Sequence, residues 1–548
     1  MIKREQLFTS NFHDKYTTSV AYFSMEFAID QALKTYSGGL GFLAGSHMRS
    51  AYALKQNLIG IGILWKNGYY DQTRNADNSM RVFFREQMYS FLQDTGIKFQ
   101  IEIDKKVVWV AVYYLPSSIF NTAPMFFLTT DTDGNDSWAR SISYQLYDND
   151  PLKKVAQCML LGIGGAKFLK EANLGPSVYH FNEAHAVSAI FYLLKQNEDI
   201  IKIKQKVVFT THTPEEAGNE KHNFDFLYNL GFFSGLDKAL VQKLSDVKNT
   251  IFNHTLAALR MSRKANAVSK LHGEVSRKMW NRNEGICEII HITNSQNHNY
   301  WADEVLDFAH KKKDLTEVAK RKKKLKEVLF KEVADQVGKL FDPNILTLVW
   351  ARRFATYKRP DLLTLDVDRF QKLMNNSKYP IQIIWAGKPY PFDYGATDIF
   401  NKLYYLSHLF SNMAVLTGHE LKLSKLLKDG SDVWLNNPIV THEASGTSGM
   451  TAAMNASVNL STFDGWVCEF AEKGNSFVVP IAESEDSYLR DKTDINNLYD
   501  ILEKEILPTY YNKPKAWNKI VDKSMTDVNV YFESDRMADE YYTKLYSF

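Results

Sequence analysis

Short apolar runs that alternate with helical patterns are the strongest constraint on how this chain of 548 residues folds. The runs are rich in Val, Ile and aromatic residues. Examples are Ile59–Leu64, Val107–Leu115, Met125–Thr130, Val207–Thr211, Ile289–Thr293, Leu346–Trp350, Ile381–Ala386 and Met413–Leu416. Strands that alternate with helices predict parallel sheets, and continuous apolarity suits strands buried on both faces. The sequence therefore predicts an α/β fold with doubly wound sheets, and the proximity of Val107–Leu115 to Met125–Thr130 predicts an antiparallel edge.

The length of the chain predicts more than one domain, because a domain usually contains roughly 100–200 residues. A charged helical stretch runs from Trp301 to about Leu340 and separates two sets of apolar runs. We expect a Rossmann-like domain over residues 1–300, a second over 301–510, and a helical segment over 511–548 that packs back across the junction.

Charge and cysteine content exclude several classes of protein. A formal net charge of +3 argues against a dominant nucleic-acid or acidic-membrane partner, and the basic run 320–324 predicts the solvated face of a helix. The three cysteines form no CxxC pair, which argues against a disulfide framework or a thiolate metal site. The chain shows no signal core and no apolar stretch long enough to span a bilayer. We expect a cytoplasmic protein without a metal, for which a homodimer is one possible assembly.

A glycine-rich segment begins at Ser37. Its glycines allow a tight turn and a close approach of the backbone to a ligand, and a following helix would offer N–H groups to an anion. The candidate phosphate-binding residues are Gly38, Gly39 and Gly41. A purely structural turn is the alternative interpretation.

Cations cluster directly after the apolar run Leu346–Trp350. They are Arg352, Arg353, Lys358 and Arg359. Cations at the carboxyl end of a buried strand are costly unless an anion is their partner. Arginine offers a planar fork and lysine a point charge, and both suit phosphate oxygens. The cluster predicts a phosphate or diphosphate site, with a structural ion-pair cluster as the alternative.

Two further segments carry polar residues suited to a sugar. Small residues and glycines follow Glu443 and predict a loop that leads into a helix, where Glu443 could accept hydrogen bonds from sugar hydroxyls. His180, Asn182 and His212 follow or end apolar strands and are candidates to line a sugar-binding cleft. A metal is disfavoured because the spacing is not that of a helical HExxH motif. A capped helix start for the first segment, and structural roles for the histidines, stay open.

Taken together, these segments resemble the α-glucan phosphorylase family in its compact bacterial and archaeal form. The matching stretches, in the family's order, are Ala21–Phe27, Tyr36–Gly45, 180–185, Phe209–Gly218, Ser269–Trp280, 351–359, Trp385–Lys388, Val433–Pro438, 443–450 and Asn459–Trp466. The resemblance implies the GT-B fold, in which two Rossmann-like domains face a deep cleft. It implies reversible, retaining phosphorolysis of α-1,4-glucans such as glycogen or maltodextrin to glucose 1-phosphate. It also implies pyridoxal phosphate, which a lysine holds as an imine and which acts through its 5′-phosphate.

The resemblance transfers residue roles at several positions. Arg353 and Lys358 match the pair that binds substrate phosphate, and the glycines after Ser37 match the loop near the phosphates. The segment that grips the glucose hydroxyls corresponds to Glu443, Ala444, Ser445 and Gly446.

Other positions depart from the family pattern. Thr451 stands where the family has the cofactor lysine, and His419 stands where it has a tyrosine near the cofactor phosphate. The histidine of the family's Asn-Gly-x-His motif is replaced by Asn297 or displaced to His298, so both are catalytic candidates. Threonine has no amine, so pyridoxal phosphate is expected to bind non-covalently or not at all.

Three functions remain open at this point. The first is a glucan phosphorylase that uses pyridoxal phosphate without an imine or works without it. The second is a nucleotide-sugar glucosyltransferase of the same fold, in which Thr451 would contact the nucleotide ribose. The third is a non-catalytic glucan-binding relative. The cluster of Arg353 and Lys358 favours an enzyme, because buried cations without an anion are costly.

Overall fold

The computed structural model describes residues 4–9, 11–196, 199–472 and 474–547, with the backbone alone at residue 5. The chain divides into two compact units. The first comprises Met1–Tyr70, Phe84–Asn294 and Ser534–Phe548, and the second comprises Asp71–Phe83 and Ser295–Glu533. The division after Asn294 lies close to the expected boundary at residue 300, and the last fifty residues are shared between the units.

The strands of the described chain are β1 Val20–Phe23, β2 Leu58–Ile63, β3 Asp71–Arg74, β4 Met80–Phe83, β5 Gln93–Ile103, β6 Lys106–Leu115, β7 Met125–Thr129, β8 Val178–Asn182, β9 Val207–Thr210, β10 Lys221–Asn223, β11 Ile251–Asn253, β12 Lys264–Ala267, β13 Glu288–His291, β14 Leu346–Ala351, β15 Ile381–Ala386, β16 Met413–Leu416, β17 Val433–Asn436, β18 Val458–Thr462 and β19 Ser476–Val479.

The α-helices of the described chain are α1 Gly39–Ala53, α2 Ser117–Phe120, α3 Ser137–Ser141, α4 Pro151–Met159, α5 Gly165–Glu171, α6 Ser188–Lys195, α7 Ile200–Lys206, α8 Phe224–Leu230, α9 Lys238–Ser245, α10 His254–Met261, α11 Lys270–Trp280, α12 His298–Trp301, α13 Glu304–Lys311, α14 Leu315–Val337, α15 Val367–Met374, α16 Tyr394–Ser407, α17 Leu421–Gly430, α18 Ser448–Met454, α19 Val467–Phe470, α20 Ser487–Ile501, α21 Leu507–Asn512, α22 Pro514–Tyr531 and α23 Ser534–Glu540.

The second unit is built on a parallel sheet with the strand order β16-β15-β14-β17-β18-β19. This is the 3-2-1-4-5-6 order of a Rossmann fold. Alternate residues of its central strands belong to different cores: Leu348 and Trp350 lie in one, and Val349 lies in the other. Both faces of the sheet are therefore covered, as the continuous apolarity of the runs predicts.

The first unit is built on a larger sheet with the order β13-β12-β9-β8-β1-β2-β7-β6-β5. The strands from β13 to β7 pair in parallel, whereas β6 pairs antiparallel with both β7 and β5. The prediction of an α/β fold with parallel sheets is confirmed, and so is the antiparallel edge. The α1 helix and the C-terminal helix α23 pack against each other within this unit.

A hairpin from early in the chain, β3 and β4, belongs to the second unit and not to the first. The Gln72 side chain donates to the Gly387 carbonyl at 2.9 Å and accepts from the Gly418 N–H at 3.1 Å. It thereby connects the loops that follow β15 and β16. The expected N-terminal domain over residues 1–300 does not anticipate this contribution, because a short polar hairpin shows no apolar run.

The charged stretch before β14 forms two helices, α13 and α14, and the basic run lies on α14. Lys320, Lys323 and Lys324 are exposed, as predicted for a solvated face. Lys322 corrects that prediction, because it is buried and its Nζ donates to the carbonyls of Asp429 and Asn455 at 2.8 and 2.7 Å. Burial lowers the pKa of this amine.

Candidate active site

The strand order of the second sheet places β14 beside β17 at its switch point. In open α/β sheets, ligands bind outside the carboxyl ends of the strands at such a point. The cationic segment that contains Arg352, Arg353 and Lys358 follows β14, and the segment that begins at Glu443 follows β17. The fold of this unit thus brings together two of the segments singled out in the sequence.

Glu443 is the centre of this arrangement. Its Oε2 accepts a hydrogen bond from Lys358 Nζ at 2.6 Å and lies 3.5 Å from Arg352 Nη1. A second guanidinium nitrogen, Arg352 Nη2, donates to Ser448 Oγ at 3.1 Å. The side chains of these three ionic residues are 5–11% exposed. Two cations are thus held on one carboxylate in a largely dehydrated environment.

The electrostatics keep Glu443 ionised. Burial alone would raise its pKa, but attraction by Lys358 and Arg352, with a smaller contribution from Arg353, outweighs burial and lowers it. Arg353 itself is exposed. Two cations therefore contact one carboxylate and a third adds to the positive charge around it, and the excess of positive charge suits an anionic ligand.

Arg359 has a different role from the other cations. Its guanidinium contacts Asp491 and Asp494 at 2.8 and 2.6 Å and donates to the carbonyls of Asn437 and Pro438. The structural ion-pair interpretation of the cationic segment therefore applies to Arg359.

Asp464 holds the backbone of the Glu443–Gly446 segment by a hydrogen bond. The Glu443 N–H donates to Asp464 Oδ2 at 2.9 Å, and the Trp466 N–H donates to the Ser445 carbonyl at 2.9 Å. A Cβ at Gly465 would lie 2.4 Å from that carbonyl, so only glycine permits this approach. Burial raises the pKa of Asp464 to about 7, and the nearby Glu443 carboxylate adds to the shift.

Buried polar atoms without a partner mark the same end of the sheet. Among the described residues, Arg352 Nε, Ser445 Oγ and His419 Nε2 have no hydrogen-bond partner. Buried polar atoms in folded proteins are nearly always hydrogen-bonded, and an exception calls for a ligand or an ordered water. These atoms lie in the loops after β14, β17 and β16, which are the loops that a ligand at the switch point would contact.

His419 is buried in a cationic environment. Burial, followed by the charges of Lys428 and Lys388, lowers its pKa to about 3, so the imidazole is neutral. Lys388 follows β15 and pairs with Glu420 at 2.8 Å. The loops after β14 and β15 and the helix α17 thus supply cations to one region.

Thr451 lies on α18 and is 1% exposed. Its Oγ1 donates to the Ser448 carbonyl at 3.0 Å, one turn earlier in the helix. The hydroxyl proton is therefore already used within the helix, and the residue supplies no amine.

Asn297 and His298 have local partners in the second unit. The Asn297 side chain caps α12 by accepting from the Tyr300 N–H at 3.0 Å. His298 Nε2 lies 3.1 Å from Asp307 Oδ1. The Asn297 side chain thus has a structural role, whereas neither ring nitrogen of His298 makes a hydrogen bond within the described residues.

Gly38, Gly39 and Gly41 lie in the first unit, at the start of α1. The N–H groups of Ser37 and Gly38 donate to Glu26 Oε2 at 2.6 and 3.0 Å. Two N–H groups of the segment are thus bound to a carboxylate of the same unit. A Cβ at Gly38 or Gly39 would meet no atom within 4 Å, so close packing requires glycine at neither of these two positions.

His180 also lies in the first unit, fully buried on β8. Its Nδ1 contacts Tyr546 Oη and its Nε2 contacts Thr210 Oγ1, both at 2.7 Å. Both ring nitrogens are thus used by protein groups, which favours the structural alternative over sugar binding.

Asn182 and His212 form a contact of their own in the first unit. His212 Nε2 lies 2.7 Å from Asn182 Oδ1, and the His212 N–H donates to Glu183. Burial raises the pKa of Glu183 to about 7, and its φ of 69° lies in the left-handed region. Strained backbone at a non-glycine residue is frequent at functional sites.

Sequence reasoning did not select Asp464, Lys388 and Lys428 as site residues. Lys388 carries the same signal as the cations after β14, because it follows a buried apolar strand. Asp464 has no such signal, and Lys428 lies in a helix rich in lysine that resembles a solvated face.

The described residues contain neither a cluster of metal-ligating side chains nor a membrane-spanning helix. No group of three or more His, Cys, Asp or Glu residues there could hold a metal ion. Likewise, no helix in the part of the chain that the structure describes has the length and apolarity to cross a membrane.

Comparison with known proteins identifies the family. A model of the carbohydrate phosphorylases matches residues 247–477. The chain is 45% identical to an uncharacterised protein of Methanocaldococcus jannaschii, over 96% of this chain and 99% of the relative. It is 32% identical to the maltodextrin phosphorylase of Thermococcus litoralis, over 99% of this chain and 72% of the relative. It is 30% identical to the glycogen phosphorylase of Aquifex aeolicus, over 98% and 87% respectively. The chain therefore belongs to the carbohydrate phosphorylase family.

Proposed function

We propose that this protein is an α-1,4-glucan phosphorylase, which transfers glucose with retention between the end of a glycogen or maltodextrin chain and phosphate. The observation that carries the proposal is the cluster of Arg352, Arg353 and Lys358 around Glu443 at the switch point of a Rossmann sheet. Its positive excess calls for an anion, and the names of the relatives specify phosphorolysis.

Different residues of the cluster bind the two substrates, phosphate and the terminal glucose. Arg353 offers an exposed guanidinium fork to phosphate oxygens, and Lys358 adds a point charge close by. The ionised Glu443, held by Lys358 and by the Asp464 contact to its backbone, accepts hydrogen bonds from glucose hydroxyls. The GT-B arrangement and a role for Gly38, Gly39 and Gly41 beside the phosphate are part of this proposal.

The family cofactor fits this chain in part. Arg352, Lys388 and the unpartnered His419 Nε2 suit the anionic phosphate of pyridoxal phosphate. Thr451 does not suit its covalent attachment, because a hydroxyl cannot form an imine. The cofactor, when bound, supplies a phosphate group that exchanges a proton with the substrate phosphate.

The two alternatives receive less support. A nucleotide-sugar enzyme would use Thr451 on the ribose, but this residue is only 1% exposed. A non-catalytic glucan-binding protein would not need the excess of cations around Glu443 or the unpartnered Arg352 Nε.

A donor screen with maltodextrin acceptors tests the proposal. Glucose 1-phosphate, ADP-glucose and UDP-glucose are each supplied with and without added pyridoxal phosphate. We expect orthophosphate release and chain elongation from glucose 1-phosphate alone. Release of a nucleoside diphosphate would replace the proposal by the nucleotide-sugar function. Glucan binding without turnover of any donor would support the non-catalytic function.

The Arg353→Ala variant tests the assignment of the phosphate site. It should abolish phosphate-dependent turnover and leave glucan binding largely intact, because the guanidinium acts on phosphate and not on glucose. Arg282→Ala removes an exposed arginine of the other unit and serves as the control. Unchanged turnover in Arg353→Ala would overturn the assignment.

A further inference from the structure

One side chain of the β3–β4 hairpin joins the two loops that follow β15 and β16. Gln72, on β3, is 4% exposed. Its Nε2 donates to the Gly387 carbonyl at 2.9 Å, and its Oε1 accepts from the Gly418 N–H at 3.1 Å. The amide thus uses a donor on one loop and an acceptor on the other, which neither an ionised carboxylate nor an apolar side chain of this size can do.

The two glycines that Gln72 contacts directly precede groups suited to an anion. Gly387 precedes Lys388, and Gly418 precedes His419. Lys388 Nζ lies 2.8 Å from a carboxylate oxygen of the residue after His419, so the loops meet a second time at this point. The charge of Lys388 also contributes to the lowered pKa of His419, an effect that requires the two groups to lie close together. A shift of either loop would therefore change the distance between the ammonium group and the imidazole.

The loop after β15 lies directly against the segment that follows β14. A Cβ at Gly387 would lie 1.9 Å from the Arg352 carbonyl oxygen, and the Arg352 N–H donates to the Ala386 carbonyl at 3.2 Å. Arg352 is one of the two cations that contact Glu443. The position of the Gly387 peptide therefore affects both Lys388 and the cluster around Glu443.

The loop after β16 is held by amide side chains from two elements. Gln336, on α14, accepts from the Thr417 N–H at 2.9 Å and donates to the Thr417 carbonyl at 3.2 Å. Gln72 accepts from the N–H of the next residue, Gly418, whose φ of 75° lies in the left-handed region. Two consecutive residues before His419 are thus fixed by hydrogen bonds from different parts of the second unit.

The hairpin has further contacts in this unit, which do not depend on the Gln72 amide. The Arg74 guanidinium donates to the Val415 carbonyl at 2.7 Å and lies 3.5 Å from the centre of the Tyr404 ring. The Met80 side chain belongs to a hydrophobic core of the unit. Replacement of Gln72 should therefore release the two loops without detaching the hairpin.

We propose that Gln72 is a positioning residue, which holds the loops after β15 and β16 in the arrangement in which Lys388 and His419 bind a phosphate group. It acts through the Gly387 carbonyl and the Gly418 N–H and does not touch the anion itself. The identification of the anion as a phosphate group rests on the proposed function.

The isosteric variant Gln72→Glu makes the test specific. An ionised carboxylate can accept from the Gly418 N–H but cannot donate to the Gly387 carbonyl, whereas a protonated carboxyl group can do both. A buried carboxyl group beside a carbonyl oxygen has a raised pKa, so the two forms can be compared between about pH 8 and about pH 5. Gln72→Met lacks both hydrogen bonds at either pH.

The experiment uses the full-length protein and inorganic phosphate, with nitrogen-15 NMR of labelled histidines to follow binding at His419. In Gln72→Met we expect the dissociation constant to rise about 10-fold relative to the unmodified protein at both pH values, as for other residues that orient ligand-binding groups. In Gln72→Glu the loss should appear at the higher pH and be recovered at the lower. The control is Tyr405→Phe, which removes another hairpin contact, from the Tyr405 hydroxyl to the Asp77 carbonyl at 3.3 Å, and should bind phosphate normally.

The proposal is overturned if the unmodified protein shows no phosphate binding at His419, if folded Gln72→Met binds as tightly as the unmodified protein, or if the loss in Gln72→Glu is the same at both pH values. An equal loss in Tyr405→Phe would also overturn it, because the effect would then belong to the hairpin as a whole. A loss of stability alone would not produce the recovery of Gln72→Glu in phosphate affinity at low pH. Thermal unfolding verifies that each variant is folded.

If the variants do not fold, amide hydrogen exchange of Gly418 in the unmodified protein decides. Phosphate should slow this exchange, because the anion and Gln72 stabilise the same arrangement of the loop. An unchanged rate at saturating phosphate would overturn the proposal. None of these measurements depends on turnover, so a failed donor screen with the expected behaviour of Gln72 would overturn the proposed function and not the positioning role, and the converse result would do the opposite.

Discussion

Two buried histidines near strand ends show how similar sequence patterns acquire different roles. His180 lies on β8 of the first unit, and both of its ring nitrogens contact protein hydroxyls at 2.7 Å. His419 follows β16 of the second unit, and its Nε2 has no hydrogen-bond partner among the described residues. Burial lowers the pKa of both, but only His419 has Lys428, Lys388 and Arg352 as charged neighbours. We therefore propose a ligand-binding role for His419, whose Nε2 is left for a ligand, and a structural role for His180.

The largest expected effect is the loss of turnover in Lys358→Met. This change removes a cation that contacts Glu443 at 2.6 Å and lies beside the expected phosphate. We expect kcat to fall by about 10²–10³-fold, as for other charge-stabilising groups in active sites. Steady-state phosphorolysis of maltodextrin measures it.

The control for this variant is Lys372→Met, which changes an exposed lysine on α15 of the same unit. Its kcat should equal that of the unmodified protein. Equal activity of the Lys358 variant and this control would show that the cluster is structural. The cluster would then have the same kind of role as His180.

The next effect is a loss of stability in His180→Ala. The change leaves a cavity between Tyr22 and Tyr541 and removes the partner of two buried hydroxyls. We expect the free energy of opening of β8 to fall by about 2–3 kcal/mol. Amide hydrogen exchange of Val178–Asn182 measures it.

Tyr546→Phe removes only one of the two hydroxyl partners and should therefore cost less, about 1 kcal/mol. Glucan affinity should change in neither variant once the folded fraction is taken into account. A selective loss of glucan binding in His180→Ala would assign this histidine to the sugar site after all.

A smaller effect concerns the protonation of His419. Because the pKa of His419 is lowered from 6.5 to about 3, its contribution to stability is fully present above pH 6.5 and is lost as the pH falls towards 3. Inorganic phosphate bound among the cations would favour the imidazolium and raise this pKa. The pKa of His180 should not respond, because protein groups surround both of its nitrogens.

Nitrogen-15 NMR of labelled histidines, with and without phosphate, measures this difference, and the His419→Asn variant assigns the signal. Sodium chloride at the same ionic strength separates binding of a dianion at the site from a general salt effect. A change in the pKa of His180 on addition of phosphate, or no change in that of His419, would contradict the different roles of the two histidines.

The smallest effect is expected for Thr451→Val. The change removes a hydroxyl that donates within its own helix, so stability should fall by less than about 1 kcal/mol and activity should be retained. Thermal unfolding and the donor screen measure both, with Thr451→Ser as the variant that keeps the hydroxyl. A loss of nucleotide-sugar use in Thr451→Val alone would favour the ribose-contact alternative.

Much of the second unit could be predicted from the sequence. The runs at Ile381–Ala386 and Met413–Leu416 are strands with those bounds, because a fully buried parallel strand must be apolar along its whole length. The cations after β14 could be selected because charge is costly at that position. Lys388 carries the same local signal, because it also follows a buried apolar strand. Asp464 and the β3–β4 hairpin could not be selected, because their roles depend on residues distant in sequence.

The sequence by itself determined the α/β class, the family and the segments that carry the chemistry, since apolar periodicity and charge next to buried strands are local properties. Only the tertiary structure decided which of those polar groups are already bound to protein and which remain for a ligand. It assigned Arg359 to Asp491 and Asp494, and His180 to Tyr546 and Thr210. It also placed Gln72 between Gly387 and Gly418, which are distant from it in sequence. The reason is physical: hydrogen bonding and burial depend on side chains that only the folded chain brings together.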